Sequence, residues 1–280
     1  MPQTAQAPLV LVIDDDRDTR ELYRLVLDMA GYRAAEASDV EEAARITALL
    51  RPDIALCDWR LPDGDGLALA SRLRTLPGTR RLPLVAVTGT TLRGDALTAA
   101  RAAGFERVLL KPALPDAILQ TVQRILEGRQ QMSLRRAAIT TARYAARLRR
   151  RTSDRPSGDD LRALLDRASR RAGDGIALLL ADDAAAFVAA NEQAAGLTGY
   201  DQTELEAMTV WDLTPLASKA DGRVLWNTFI ASGLQEGRYL LRRRDGTLVE
   251  ATYCAVANVV QGLHVSALLV AAAIPETVRL

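Results

Sequence analysis

The chain has 280 residues, 49% hydrophobic and 25% charged, with a net charge of +1. At roughly 100–200 residues per domain this length suggests two domains, each able to bury a core. No run approaches the roughly 18 uncharged apolar residues of a membrane helix, and the N-terminus MPQTAQAPLV has no basic segment leading into an apolar one. A cytoplasmic chain without a membrane span is therefore expected. Cys57 and Cys254 each sit in an apolar run and are expected as buried free thiols. Together with the single histidine, His264, they are too few for an ordinary zinc site. Charge is unevenly spread: residues 1–128 carry −2, residues 129–158 carry +8 and residues 159–280 carry −5. A basic connector thus joins two mildly acidic blocks.

Residues 9–127 alternate short apolar runs with helical patterns. Strands are expected at Leu9–Ile13, Arg33–Glu36, Asp53–Cys57, Leu84–Val87 and Arg107–Leu110. Helices are expected near 17–30, 39–50, 65–75, 92–103 and from about 114. Leu22, Leu25, Val26 and Met29 share helical spacing, and Gly31 closes that helix. Five strands alternating with five helices imply a doubly wound α/β fold, with a parallel sheet covered on both faces.

Asp14, Asp15 and Asp16 directly follow the first strand. Alone, they read first as a helix N-terminus capped by carboxylates. Their company changes the reading. Asp58 ends the third strand, Thr88 the fourth and Lys111 the fifth. From Asp15 to Asp58 is 43 residues, from there to Thr88 is 30, and on to Lys111 is 23. One strand–helix unit here takes about 20–30 residues, so the gaps are two units, one unit and one unit. All four groups should gather at the carboxyl edge of the sheet, where open α/β folds place their sites. Clustered carboxylates repel one another and suit a hard divalent cation such as Mg²⁺. A carboxylate can accept a phosphoryl group, and a lysine and a hydroxyl can hold its oxygens.

The stretches LVLVIDDD (9–16), PDIALCDWRLPDGDG (52–66), LPLVAVTG (82–89) and LLKP (109–112) resemble the receiver domain of two-component response regulators. The resemblance implies a flavodoxin-like fold with strand order 2-1-3-4-5. It implies Asp58 as phospho-acceptor, with Asp15 as the direct Mg²⁺ ligand and Asp14 acting through water. It implies the backbone carbonyl of Arg60 as a further ligand, and Thr88 and Lys111 as the pair that senses the phosphoryl group. Such a domain assists its own phosphorylation and dephosphorylation and is not a free-standing enzyme. The implied donor is a histidine kinase or a phosphotransfer protein. Two positions depart from the pattern. Val108 stands where an aromatic ring usually reorients, with Phe105 nearby at the helix-to-strand turn, and Gly89 stands where alanine is common. Signal is therefore expected to pass through the loop after Thr88 and the last helix.

Residues 159–280 read as an antiparallel α+β domain. A helix at Leu161–Arg171 precedes strands at Ile176–Leu180 and Phe187–Ala190, short helices near 191–197, 202–207 and 220–232, and strands at 238–244, 247–257 and 262–271. Asp245-Gly246 signals a two-residue hairpin. The run FVAANEQAAGLTGYDQTELEAMTVWDLTP (187–215), with Arg244-Asp245-Gly246-Thr247, resembles a PAS domain. That resemblance leaves the ligand unnamed. His264 in its apolar strand reads as a packed imidazole rather than a haem ligand, Cys254 is not in a flavin-reactive context, and Trp211 and Trp226 read as core.

Residues 129–158 hold Arg129, Arg135, Arg136, Arg143, Arg147, Arg149, Arg150 and Arg151 among alanines, which favours a linking helix. Ile118, Ile125, Met132, Ile139 and Ala146 recur every seven residues, half of a coiled-coil seam. Ser153–Gly158 reads as a loop. With no helix-turn-helix and only Tyr144 to stack on a base, a nucleic-acid role is disfavoured. The expected organisation is a receiver (1–128), an arginine-rich helical linker (129–158) and a PAS domain (159–280). The receiver would relay phosphorylation to the PAS module, with two copies pairing through PAS and linker. Two rival readings remain: a PAS ligand sensor modulated by the receiver, and a DNA-binding regulator using the arginine stretch.

Overall fold

The computed structural model describes residues 7–149, 157–172, 175–215, 218–260 and 262–270. They fall into two compact units that divide between Gly128 and Arg129.

The first unit runs β1 (Leu9–Ile13), α1 (Arg17–Met29), β2 (Arg33–Ala37), α2 (Val40–Leu50), β3 (Ile54–Asp58), the short pair β4 (Arg60–Leu61) and β5 (Gly64–Asp65), α3 (Gly66–Arg74), β6 (Leu84–Thr88), α4 (Gly94–Ala102), β7 (Phe105–Leu110) and the start of α5 (Pro115–Arg149). All pairings in its main sheet are parallel, in the order β2-β1-β3-β6-β7. Among the five parallel strands this is the expected order 2-1-3-4-5.

The continuous apolar strands are explained by helices on both faces. Leu11 and Ile13 pack with Ala43 and Ala44 of α2 and Leu69 and Leu73 of α3. Val10 and Val12, pointing the other way, pack with Leu27 of α1 and Ile118, Val122 and Ile125 of α5. Gly31, at φ 78°, ends α1 as expected: its N–H donates to the Asp28 carbonyl, and the Tyr32 N–H reaches back to Leu27. Phe105 differs from expectation. It is the first residue of β7, buried and paired with Leu84, because the strand starts directly after the Gly104 turn.

The second unit takes the rest of α5, then α6 (Gly158–Ala172), β8 (Ala177–Asp182), β9 (Phe187–Ala190), α7 (Glu192–Thr198), α8 (Gln202–Glu206), a single 3₁₀ turn (Val210–Asp212), α9 (Lys219–Ser232), β10 (Leu234–Arg242), β11 (Leu248–Val260) and β12 (Leu263–Val270). The sheet is antiparallel, in the order β10-β11-β12-β8-β9. One face, with Leu178, Leu180, Val265 and Ala267, packs on α5 and α6. The other, with Ala177, Leu179 and Leu268, packs on α7 and α8.

Three details depart from the sequence reading. Strand β10 begins at Leu234, not 238, because Gly237 sits against the Tyr253 ring and supplies no side chain to the alternating pattern. The hairpin after it is not a two-residue turn. The Arg243 N–H bonds the Thr247 carbonyl at 2.9 Å and encloses three residues, ending on Gly246 at φ 84°. The connector is more than a linker: Leu134, Ala137, Ala138 and Ala145 of α5 belong to the second unit's core. The seven-residue stripe is therefore not one buried seam. Ile118 and Ile125 face the first core, whereas Met132 is 72% exposed and Ile139 lies at the surface. Arg150, Arg151 and residues 153–156 of the expected loop lie outside the described residues, as does position 271 of the last expected strand.

Candidate functional site

Asp14 follows β1, Asp58 ends β3, Thr88 ends β6 and Lys111 follows β7, so the parallel sheet delivers all four to one edge. Carboxylate oxygens of Asp14, Asp15 and Asp58 lie within 4.8 Å of one another. The Lys111 Nζ donates to Asp14 Oδ2 and to Asp58 Oδ2, each at 2.7 Å. Asp14 is buried, Asp15 is exposed and Asp58 is intermediate. The backbone fixes the rest. The Asp14 N–H donates to the Ala37 carbonyl, the Arg60 N–H donates to Asp58 Oδ1 at 3.2 Å, and the Lys111 N–H donates to the Thr88 carbonyl at 2.8 Å.

Asp16 does separate work. Its carboxylate accepts from the Thr19 N–H and hydroxyl and caps α1, which holds its pKa below the usual carboxylate value. The capping and cluster readings of the acidic triplet are thus both present, on different residues. Burial pushes the Asp14 carboxyl up, against the hydrogen bonds from Lys111 and the Asp16 amide. For Lys111, burial opposes the charge, but hydrogen bonds to Asp14 and Asp58 outweigh it and raise the pKa. Lys111 is therefore a fixed ammonium between two acids. Three hard oxygen groups at this separation suit an octahedral divalent cation such as Mg²⁺.

Thr88 reaches the edge, yet its hydroxyl is engaged elsewhere. It donates to the Thr90 carbonyl and accepts from the Thr90 N–H, both at 3.2 Å. Thr90 was not singled out in the sequence, and neither was Arg20. The Arg20 guanidinium donates to the carbonyls of Asp14 at 2.7 Å and Asp15 at 3.1 Å and pairs with Glu36, pinning the acidic loop. No motif spacing signals it. Trp59, beside Asp58, packs on Phe105 with ring centroids 5.5 Å apart. Gly66 makes room for it, since a Cβ there would stand 2.6 Å from the Trp59 ring.

A family profile described as the response regulator receiver domain matches residues 10–123. A 14.6 kDa protein of Leptolyngbya boryana is 35% identical over 121 residues, which is 43% of this chain and 92% of that protein. The chain belongs to the response regulator receiver family. The receiver is also 28% identical, over 117 residues, to the phosphate regulon transcriptional regulatory protein PhoB of Pseudomonas aeruginosa, covering 42% of this chain and 51% of PhoB. The chain therefore matches only about half of PhoB's length. Among solved structures, the chemotaxis protein CheY4 of Vibrio cholerae is 27% identical, covering 42% of this chain and 98% of that one, with a TM-score of 0.41. The receiver match ends before the second unit begins. No helix among the described residues is long and apolar enough to cross a membrane.

Proposed function

We propose that the chain is a cytoplasmic response regulator whose receiver accepts a phosphoryl group on Asp58 and passes the change to a C-terminal PAS module. The single observation that carries the first half is Lys111 Nζ bonded at 2.7 Å to both Asp58 and Asp14, beside Asp15. Asp14, Asp15, Asp58 and the Arg60 carbonyl are the groups that would hold Mg²⁺, which supplies positive charge against the incoming phosphoryl oxygens. Asp58 contributes a carboxylate oxygen that bonds to phosphorus as the donor's bond to phosphorus breaks. Lys111, already against that carboxylate, follows the new charge to a phosphoryl oxygen. Thr88 must give up Thr90 to reach the same group, so the loop after β6 changes with phosphorylation. The donor is a histidine kinase or phosphotransfer protein, and the receiver aids its own phosphorylation and hydrolysis rather than acting as a free-standing enzyme.

The PAS reading of the second unit is supported by how its motif segments meet. Asn191, fully buried, accepts from the N–H groups of Leu178 and Ala194 and donates to the Ile176 carbonyl, tying β8 to the start of α7. Arg244 of the hairpin bonds Glu204, lies 5.6 Å from the Tyr200 ring centroid and donates its N–H to the Thr198 carbonyl. The two stretches carrying the resemblance thus dock on each other. Pairing of two copies through this unit and the exposed side of α5 is part of the reading, and nucleic acid is not.

The test is incubation of the full chain with a small phosphodonor and Mg²⁺, followed by intact mass. A gain of one phosphoryl group, lost in Asp58→Asn and without Mg²⁺, is expected; a gain that survives Asp58→Asn overturns the assignment. Hydrogen exchange before and after phosphorylation tests the relay. Altered protection in β8–β12 or α5 supports it, and changes confined to the Asp58 pocket refute it. Light scattering tests pairing.

A further inference from the structure

The helical side of the second unit's sheet does not close on it completely. A cavity of about 110 Å³ remains between the sheet and the segment from the 3₁₀ turn through α9. Trp211 and Trp226, expected as core residues, are its walls, edge-on with centroids 6.2 Å apart. Gly222 lets α9 lie over Trp211, since a Cβ there would meet the ring at 3.2 Å.

Two properties define what fits. The first is charge. Among the described residues, no carboxylate, ammonium, guanidinium or imidazole lines the cavity. Aromatic walls alone could favour a cation. Here the guanidinium of Arg223 already lies 5.8 Å from the Trp211 ring centroid, and its charge opposes a second cation. His264, beneath Trp226 and Phe229, is committed outside the cavity: its Nδ1 accepts from the Asn258 N–H and its Nε2 meets Asp183 at 3.0 Å. Among the described lining residues a buried ion would find no counter-charge, and it would suffer the desolvation cost. The second property is size. A dry apolar cavity of roughly 150 Å³ holds benzene. This one is smaller but open toward a half-exposed Leu225, so it holds no more than one ring and excludes a haem or a flavin.

The floor adds a polar notch. Gln235, Ala255 and Ser266 stand in one row across β10, β11 and β12. The small Ala255 separates two polar side chains that make no hydrogen bond to any described residue. One neighbouring polar pair is already engaged. Thr214 donates to the Val210 carbonyl, so the Tyr239 hydroxyl donates to Thr214. A ligand can therefore gain a hydrogen bond at the Gln235–Ser266 row without disturbing another.

We propose that this cavity binds an uncharged single-ring aromatic molecule bearing one hydroxyl or similar polar group, with the ring against the tryptophan wall and the polar group on the Gln235–Ser266 row. The inference deepens the PAS reading and rests on it only for what binding would signal.

The experiment is isothermal titration of the full-length protein with p-cresol, toluene, benzoate and benzylamine. Saturable p-cresol binding is expected, with benzoate and benzylamine at least tenfold weaker. Gln235→Leu should weaken p-cresol about tenfold and leave toluene unchanged. Ala255→Leu, with circular dichroism confirming the fold, should weaken both at least tenfold. No saturable binding of either neutral ring to folded wild-type protein overturns the proposal. So does a charged ring that binds as well, or Gln235→Leu affecting p-cresol and toluene alike. These failures would leave phosphorylation and exchange in the second unit untouched. Failure of the PAS relay would instead appear as intact p-cresol binding with no response of the second unit to phosphorylation.

Discussion

The receiver pocket and the cavity of the second unit are opposite solutions to making a site. The first gathers three carboxylates and an ammonium at the ends of parallel strands. The second is a gap in apolar packing, with aromatic walls and no charged group among its described lining residues. Charges cannot be left in low dielectric without partners, so the first site obliges particular residue types at particular strand ends. A gap obliges nothing of the kind, because many apolar side chains enclose one equally well. The first site is a pattern in the chain, and the second is a property of how the elements settle.

The sharpest way to break this contrast is Lys111→Met. It leaves Asp14 and Asp58 repelling each other with no ammonium between them. Phosphorylation of Asp58 should slow by about 10²-fold, the scale of removing one charge-stabilising donor. Without Mg²⁺ the variant should also melt below wild type, and Mg²⁺ should recover more stability in the variant than in wild type. Melting curves with and without Mg²⁺ check this. Equal Mg²⁺ responses would mean Lys111 does not screen the acids.

A change of similar size belongs to the second unit alone. Asn191→Ala removes the acceptor of two buried N–H groups and the donor to the Ile176 carbonyl. Orphaned buried groups at about 1–3 kcal/mol each put the loss near 3 kcal/mol after relaxation. The second unit's melting transition should fall while phosphorylation of Asp58 proceeds at the wild-type rate. A slowed receiver would show that the two sites are not energetically separable.

These examples also show what the sequence could reveal. The parallel sheet and the Asp14, Asp15, Asp58, Thr88 and Lys111 set were legible because strand-end positions repeat with the strand–helix unit, whereas the strand order came only with the receiver resemblance. Arg20 and Thr90 were not, since each acts on or through backbone groups of a loop, a geometry that no residue spacing encodes. The fate of α5 was misread for a different reason. A seven-residue stripe says that a helix has an apolar side, but not that Leu134, Ala137, Ala138 and Ala145 will be drawn into the second unit's core. The sequence reading started strand β10 too late because Gly237, packed on the Tyr253 ring of β11, supplies no side chain to the alternating pattern.

A smaller effect tests the Thr88 loop. Thr90→Gly keeps the backbone N–H that bonds the Thr88 hydroxyl and removes only a methyl-bearing side chain whose hydroxyl lies 3.4 Å away. The cost should stay near 1 kcal/mol, mostly from added backbone freedom. Asp58 should still be phosphorylated. Thr88→Ala should also permit phosphorylation while reducing the accompanying exchange changes in the loop after β6, a difference readable by hydrogen exchange. Full-size changes in Thr88→Ala would remove Thr88 from the relay.

The smallest expected effect separates two helix caps, one in each unit, by acid. Helix α2 is capped by Asp39, whose carboxylate accepts from the Glu42 N–H at 2.8 Å, and that bond with the Ser38 hydroxyl holds its pKa below the ordinary 3.8. A depressed folded-state pKa stabilises the fold above pH 3.8 and ceases to do so as pH falls through the lowered value. Because Asp39 is near the surface, solvent screening limits the contribution to about 0.5 kcal/mol. Helix α7 of the second unit is capped by Asn191, whose amide does not titrate. Acidification below pH 3.8 should therefore speed exchange of the Glu42 amide relative to Ala194, with the difference removed in Asp39→Asn. Equal acceleration at both amides would assign acid loosening to the chain as a whole rather than to the carboxylate caps of the receiver.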